Sequence, residues 1–288
     1  MQASTQIRAL LARPEMIIAP GAYDGISARL IEQAGYPAVY MTGAGTSAAR
    51  GYPDFGLLTM SEMVENAAVL ARSVSVPVIA DADTGYGNEL NVTRTVREYE
   101  SRNVAGIHIE DQVSPKKCGH LDDKAIISKD EFVAKIRAAV AARRSPEFLI
   151  IARTDANAMA GLDEAVDRVN AALAAGADMA FVEAAKSMDE VAAIPKRVRG
   201  ACMLNIVPGG KTPNLPLKDA QAMGYRLAIL PGLLLRATIE ACDEALATLQ
   251  KTGVPPAARV GSTVAGTFRR FGADEWDALR RRFATESK

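Results

Sequence analysis

The stretch Val78-Ile79-Ala80-Asp81-Ala82-Asp83-Thr84-Gly85-Tyr86-Gly87 decides the fold, together with Gly106-Ile107-His108-Ile109-Glu110-Asp111-Gln112 one amphipathic segment later. Each begins as an apolar run too short for a helix and ends abruptly in acidic or amide residues. Runs of this kind, without strict polar alternation, mark strands buried on both faces of a parallel sheet. Outward from this stretch the same run recurs, at Met16–Ala19, Ala38–Met41, Val78–Asp81, Gly106–Ile109, Phe148–Ala152, Met179–Val182, Met203–Ile206 and Leu227–Leu230.

The segments between these runs carry helical periodicity and helix punctuation. Helices are expected at Asp24–Ala34, Ser61–Arg72, Asn88–Ser101, Phe132–Ala142, Leu162–Ala175, Ser187–Ile194, Leu217–Met223 and Gly232–Gln250, with a polar tail helix at Ala273–Ala284. Ser128-Lys129-Asp130-Glu131 has the form of a capping box, and Gly35, Gly176 and Gly224 stand where helices stop. Eight strand–helix units predict an α/β fold, a (β/α)8 TIM-type barrel. No glycine-rich phosphate fingerprint follows the first strand, which disfavours an open doubly wound sheet. The expected organisation is a single domain over 1–288, with 232–288 as a C-terminal helical extension free to pack outside or exchange with a neighbouring subunit.

Composition removes whole classes of function. The chain has 288 residues, enough for one barrel. Lys and Arg number 34, as do Asp and Glu, so there is no basic excess to bind nucleic acid. Hydrophobic residues make up 49%, which excludes a disordered chain. The cysteines number 3, which implies no disulfide framework and favours a reducing, cytoplasmic setting. With only 2 histidines, a polyhistidine zinc site lacks its ligands. The N-terminus has no secretory pattern, and no run reaches the ~20 apolar residues of a membrane span.

In a barrel, function gathers at the C-terminal ends of the strands. Reading those ends in order gives Tyr40 to Gly45, Asp81 to Gly87, His108 to Gln112, Arg153 to Asp155, Glu183, Asn205 and Pro231. Asp81 and Asp83 alternate on one strand and so share a face, with Glu110 on the next strand. Carboxylates crowded this way suit a hard cation such as Mg2+ or Mn2+. Cys118 lies in Lys116-Lys117-Cys118-Gly119-His120, within the long connection between strands four and five, a natural lid. Its cationic neighbours predict a lowered thiol pKa. Gly119 gives the backbone room to close over a ligand. Arg153 has the fork to hold a carboxylate. Thr42-Gly43-Ala44 offers a hydroxyl and backbone amides for a carboxylate or oxyanion. Gly209-Gly210-Lys211-Thr212-Pro213 lacks the spacing of a phosphate loop.

The Lys116–His120 motif, Asp81-Ala82-Asp83 and His108–Gln112 together resemble the isocitrate lyase/phosphoenolpyruvate mutase superfamily, from about Ile17 to Val254. The cysteine motif resembles its carbon–carbon lyase branch. The resemblance implies a (β/α)8 barrel whose eighth helix swaps between subunits in a dimer of dimers. It implies Mg2+ held directly by Asp81 or Asp83, with Asp54, His108 and Glu110 acting through water. It implies Cys118 as the catalytic thiol, supported by Lys116 and His120, and Thr42, Gly43, Ala44 and Arg153 on the α-keto-acid half. Glu183, Asn205 and Arg236 match residues that face the other product. Tyr40 is a candidate base.

The implied reaction is retro-aldol or retro-Claisen cleavage of a 2-methylisocitrate- or 2,3-dimethylmalate-like 2-hydroxy carboxylate to an α-keto acid and a carboxylate. Departures bear on substrate choice. Thr42 and Ala44 stand where the family often has Ser and Gly, and the Ala44 methyl narrows the pocket. Pro231 stands where the oxaloacetate hydrolases tend to carry serine. Alternatives are that hydrolase, a phosphoenolpyruvate mutase-type carboxyphosphonate enzyme disfavoured by Cys118, and an inactive scaffold. The expected partners are a small carboxylate substrate and further copies of the chain.

Overall fold

The computed structural model describes residues 2–121, 123–258 and 262–285. The chain runs α1 (Ala3–Leu11), β1 (Ile17–Ala22), α2 (Gly25–Gln33), β2 (Val39–Met41), α3 (Gly43–Ala49), α4 (Met60–Ser73), β3 (Val78–Asp81), α5 (Glu89–Ser101), β4 (Gly106–Glu110) and α6 (Lys129–Ala142). It continues β5 (Leu149–Thr154), α7 (Ala156–Ala174), β6 (Met179–Val182), α8 (Met188–Arg197), β7 (Ala201–Asn205), α9 (Leu217–Met223), β8 (Leu227–Leu230), α10 (Leu233–Thr252), α11 (Val264–Arg269) and α12 (Ala273–Thr285). The strands form a closed barrel in sequence order, every neighbour parallel, with β8 returning to β1. This is the expected (β/α)8 architecture.

Closure explains a shifted strand. The first apolar run ends at Ala19, yet β1 continues through Pro20 and Gly21, in register with Leu230 and Tyr40. Gly21 is required at that seam, because a Cβ there would lie 2.4 Å from the Pro231 carbonyl oxygen. Three helices had no clear sequence signal. α1 packs Ala3 and Ile7 onto the barrel floor beside Ile17, Leu149 and Ile151. α3 is glycine-rich and starts from Thr42, whose hydroxyl oxygen accepts a hydrogen bond from the Gly45 amide. α11 is a short turn of helix capped by Thr263. Where punctuation was clear the structure follows it. The Ser128 hydroxyl and Glu131 carboxylate cap each other's backbone amides, and Gly176 and Gly224 stop α7 and α9 at φ +106°.

The strand period of two sorts side chains between core and site. Ile79, Ile151, Met179, Phe181, Met203 and Ile229 belong to the interior cluster, whereas Ala80, Ile107, Ile109 and Ile150 join the layer under the helices. Two residues above each interior position the same track reaches the mouth. Ile79 leads to Asp81, Ile151 to Arg153, Phe181 to Glu183 and Met203 to Asn205.

Residues Met1–Arg236 form one compact unit and Ala237–Lys288 a second. Within the second, Ile239, Leu246, Phe268 and Trp276 are exposed. Among the described residues no helix is long and apolar enough to cross a membrane.

Gly106 enters β4 where a Cβ would lie 2.4 Å from Leu149 Cβ and 2.8 Å from its carbonyl oxygen. Gly106→Ala should therefore destabilise the barrel by about 1–3 kcal/mol through overpacking, read as a lower thermal midpoint.

Candidate active site

The mouth is built on rigid strand ends, so its groups are buried and fixed. Asp81, Asp83, His108, Glu110, Arg153, Glu183 and Asn205 are all buried. Together with Tyr40, Thr42, Ala44, Asp54, Cys118, Gly119, His120, Val207, Pro231, Gly232 and Leu235, four of them (Asp81, Arg153, Glu183 and Asn205) line one cavity. The carboxylates that the sequence placed on adjacent strands do converge. Asp83 sits at φ +46°, and its amide donates to Asp81 Oδ1 at 2.9 Å.

Burial opposes ionisation of Asp81, but the neighbouring His108 imidazole and the charges of Lys116 and Arg153 outweigh it and hold the carboxyl low. Asp83 behaves oppositely. Burial pushes it up to about 6 against the pull of Lys116, with Asp81 and Asp54 adding repulsion. Lys116 Nζ lies 2.6 Å from Asp54 Oδ1 and 2.8 Å from Asp83 Oδ1. Burial disfavours that ammonium, yet the Asp83 and Asp54 carboxylates raise its pKa. Glu110 is raised well above the usual range by burial, although Arg153 Nη1 lies 3.0 Å from it.

Tyr40 does not suit the expected role of base. Burial, then Asp81, raises its phenol well above 10, so it is protonated at neutral pH. Its hydroxyl lies 2.9 Å from His108 Nε2 and 3.4 Å from Asp81 Oδ2. Burial pulls His108 down to about 4, so this imidazole is neutral. The anionic Asp81 sets the direction of the relay: His108 Nε2–H donates to the phenol oxygen and the phenol donates to Asp81.

A cation site can be judged from the donors themselves. They are hard oxygens, and Asp83 Oδ1 and both Glu110 carboxylate oxygens are buried without a hydrogen-bond partner. The contacts from Lys116 and Arg153 supply charge there without hydrogen-bond alignment. Orphaned anionic oxygens fit a divalent cation. Among the described residues, no three His, Cys, Asp or Glu side chains form a ready-made metal cage. The donor set therefore suits Mg2+, which keeps much of its water, better than an all-protein cage.

The lid lies over this cluster. Its base is pinned by Val113 N to Ala125 O (2.8 Å), Ile127 N to Asp111 O (2.9 Å) and the antiparallel bridge of Gln112 with Ile126. The Gln112 side-chain amide grips the Lys117 backbone at both ends, accepting from N–H at 3.1 Å and donating to C=O at 2.9 Å. Cys118 N donates to Asp54 O at 3.1 Å. Gly119 rests on the site itself, since a Cβ would lie 2.6 Å from Glu183 Cγ and 2.7 Å from Arg153 Nη2. His120 Nδ1 accepts from Lys211 N at 3.0 Å, which leaves its proton on Nε2, 3.5 Å from Glu183 Oε1. The Gly209–Pro213 loop thus clasps the lid.

The thiol reverses its expected titration. Burial, then the Asp54 carboxylate, pushes Cys118 up to about 11. Sequence neighbours suggested a thiolate, but the Lys116 ammonium is turned away into the carboxylates.

Arg153 makes ion pairs with Glu110 and Asp155 Oδ2 at 3.0 Å and with Glu183 at 3.6 Å. It also faces the cavity, with its guanidinium 5.2 Å from the Phe181 ring centroid. Asn205 Nδ2 donates to Glu183 Oε2 at 3.0 Å, and Asn205 Oδ1 is left without a partner. Gly43 backs Asp81, for a Cβ would lie 2.5 Å from Oδ2. Arg236 is not part of the lining. It is exposed and bonds the Pro208 carbonyl at the rim. Sequence reasoning missed the apolar wall of Val207, Gly232 and Leu235, which has no chemical signature, and Lys124, which reads as a surface lysine.

Comparison with known proteins places the chain in a family. The family model described as phosphoenolpyruvate phosphomutase matches residues 7–250. The chain is 49% identical over 232 residues to a 2,3-dimethylmalate lyase of Eubacterium barkeri, covering 80% of each chain. It is 42% identical over 247 residues to a 2-methylisocitrate lyase of Aeropyrum pernix, covering 86% of this chain and 80% of the other. A solved structure of oxaloacetate acetylhydrolase with 3,3-difluorooxalacetate superposes with a TM-score of 0.94 at 38% identity, over 100% of this chain and 98% of that one.

A thiol held up to about 11 should be alkylated slowly at neutral pH. Iodoacetamide labelling of Cys118, followed by peptide mass spectrometry, should still be accelerating above about pH 9. A plateau reached below about pH 8 would mean a thiolate.

Proposed function

The chain belongs to the phosphoenolpyruvate mutase/isocitrate lyase superfamily, and we propose that it is a carbon–carbon lyase that splits a 2-hydroxy dicarboxylate into an α-keto acid and a second carboxylate. The observation that carries this reading is Cys118 lining the same cavity as Arg153, Asp54, Asp81 and Glu183, where burial pushes its thiol up. A lid thiol that stays neutral is an acid for a carbanion formed beneath it.

Arg153 would hold the carboxylate of the keto-acid half by charge-assisted hydrogen bonds. Thr42, Gly43 and Ala44 would face the same half, where α3 begins and first-turn amides lack helical acceptors. Asp81 would hold a divalent cation directly, with Asp83, Asp54 and Glu110 around it through water. When bound, that cation supplies Lewis-acid stabilisation of negative charge on the substrate oxygen. Tyr40 serves as a hydrogen-bond donor, and the Asp81–Asp83 pair offers an anionic destination for the hydroxyl proton. As the C2–C3 bond breaks, its electron pair remains on C3, conjugated with the adjacent carboxylate. The Cys118 thiol delivers its proton to C3, and the closed lid keeps out water that would compete. Asn205 and His120 Nε2–H would donate to the departing half.

The wall opposite the carboxylates favours an alkyl-substituted substrate. It consists of Val207, Pro231, Gly232 and Leu235, and Arg153 is the guanidinium among the cavity's lining residues. A 2,3-dimethylmalate-like dicarboxylate, with methyl groups to set against it, suits this wall. Pro231 offers no hydroxyl for a hydrolytic reaction. The exposed Ile239, Leu246, Phe268 and Trp276 support assembly into a homo-oligomer, which sedimentation would read.

α-Keto-acid release should be measured with 2,3-dimethylmalate, 2-methylisocitrate, isocitrate and oxaloacetate. The methylated malate should be preferred, EDTA should stop turnover and Mg2+ should restore it. Oxalate from oxaloacetate as the dominant product would replace the lyase by the hydrolase. Cys118→Ser should lower kcat by about 10²–10⁴ with pyruvate binding largely kept. Turnover at the wild-type rate would remove the acid role.

A further inference from the structure

We infer that Lys124 is a positioning residue that couples closure of the lid to the strength of Arg153 as a carboxylate anchor. The inference rests on the proposed role of Arg153. The Lys124 side chain is 1% exposed and that of Asp155 is 0% exposed. Lys124 Nζ lies 2.7 Å from Asp155 Oδ1 and also donates to the Gly119 carbonyl, the lid residue beside Cys118. A buried ammonium placed between a lid carbonyl and a barrel carboxylate has no reason to be there for surface solubility.

The carboxylate it meets is the one that orients Arg153. Asp155 Oδ2 accepts from Arg153 Nε at 3.0 Å, and Oδ1 accepts from Nη2 at 3.4 Å. Lys124 and Arg153 therefore share Oδ1. Asp155 itself is held in place. Its amide donates to Asp111 Oδ1 at 2.9 Å, Thr154 Oγ1 donates to Asp111 Oδ2 at 2.6 Å, and Arg168 pairs with that same carboxylate at 3.2 Å. Among the described residues, the one contact to Asp155 that comes from the lid is that of Lys124, just inside the lid's pinned base.

The electrostatic consequence follows from that sharing. With the lid closed, Lys124 takes up part of the Asp155 charge, and Arg153 keeps more of its own for a ligand. With the lid withdrawn, Asp155 joins Glu110 and Glu183 in neutralising Arg153 alone. The same lid residue signals the change, because Gly119 offers its carbonyl to Lys124 while its Cα lies against the Arg153 guanidinium. Closure thus tightens the grip on the keto-acid carboxylate, and opening relaxes it for release.

The test compares the full-length enzyme with K124M, K124Q and K124R. Labelling of Cys118 by iodoacetamide at fixed pH, without ligand, reads lid opening, and labelling of the core residue Cys202 reads global loosening. K124M should label at Cys118 roughly tenfold faster with Cys202 unchanged, and K124R should recover most of the protection. If K124M does not fold, K124Q is read by the same criteria. Pyruvate binding by calorimetry should weaken about tenfold in K124M. An unchanged Cys118 rate in the folded variant overturns the inference, as does Cys202 rising in parallel. Failure of the wild type to bind pyruvate would instead remove the proposed function, while the labelling result still decides whether Lys124 latches the lid.

Discussion

Crowding acidic groups at one buried mouth is the constraint on which the rest depends. The two-residue period of a closed parallel barrel sends Asp81, Asp83, Glu110 and Glu183 to the same end, away from water. Charges so placed repel one another and lose hydration, and removing a compensating cation from such a set is far costlier than at a surface. Arg153 and Lys116 meet that demand from within the fold, and each touches more than one acid. The residual imbalance at Asp83 and Glu110, whose oxygens lack hydrogen bonds, is what gives the mouth its appetite for a cation. The lid is also part of this balance, since Lys116 and Lys124 both come from it.

Much of the fold was legible because strand and helix periods differ and because glycine stops helices visibly. Strand ends carrying Asp81, Glu110, Arg153, Glu183 and Asn205 could be placed at one mouth before any coordinates. What failed failed for spatial reasons. Cys118 has Lys116 and His120 near it in the chain, so a lowered pKa was expected, yet Lys116 points at Asp54 and Asp83, and burial dominates the thiol. Tyr40 looked basic by position, but desolvation keeps the phenol protonated. Arg236 matched a family position, and its side chain turns to a rim carbonyl instead. The apolar run Met16–Ala19 stops short of the strand, because barrel closure draws Pro20 and Gly21 into the ladder.

Cys118 and Arg153 both meet the lid, by different kinds of contact. Gln112 fixes the lid backbone beside the thiol, while Asp54 receives both the Cys118 amide and the Lys116 ammonium. Gly119 then brings the lid onto Arg153 with no side chain between them. Under the proposed function, proton delivery and carboxylate recognition would therefore share one element of the fold.

The hydrogen bond from the Lys211 amide to His120 has a wider consequence. It joins the loop after β7, which carries the apolar wall residue Val207, to the loop after β4, which carries Cys118. Under the proposed function, acid and alkyl-facing wall would thus be coupled, and a change after β7 that admits a different alkyl group would also be felt in the loop that holds the thiol.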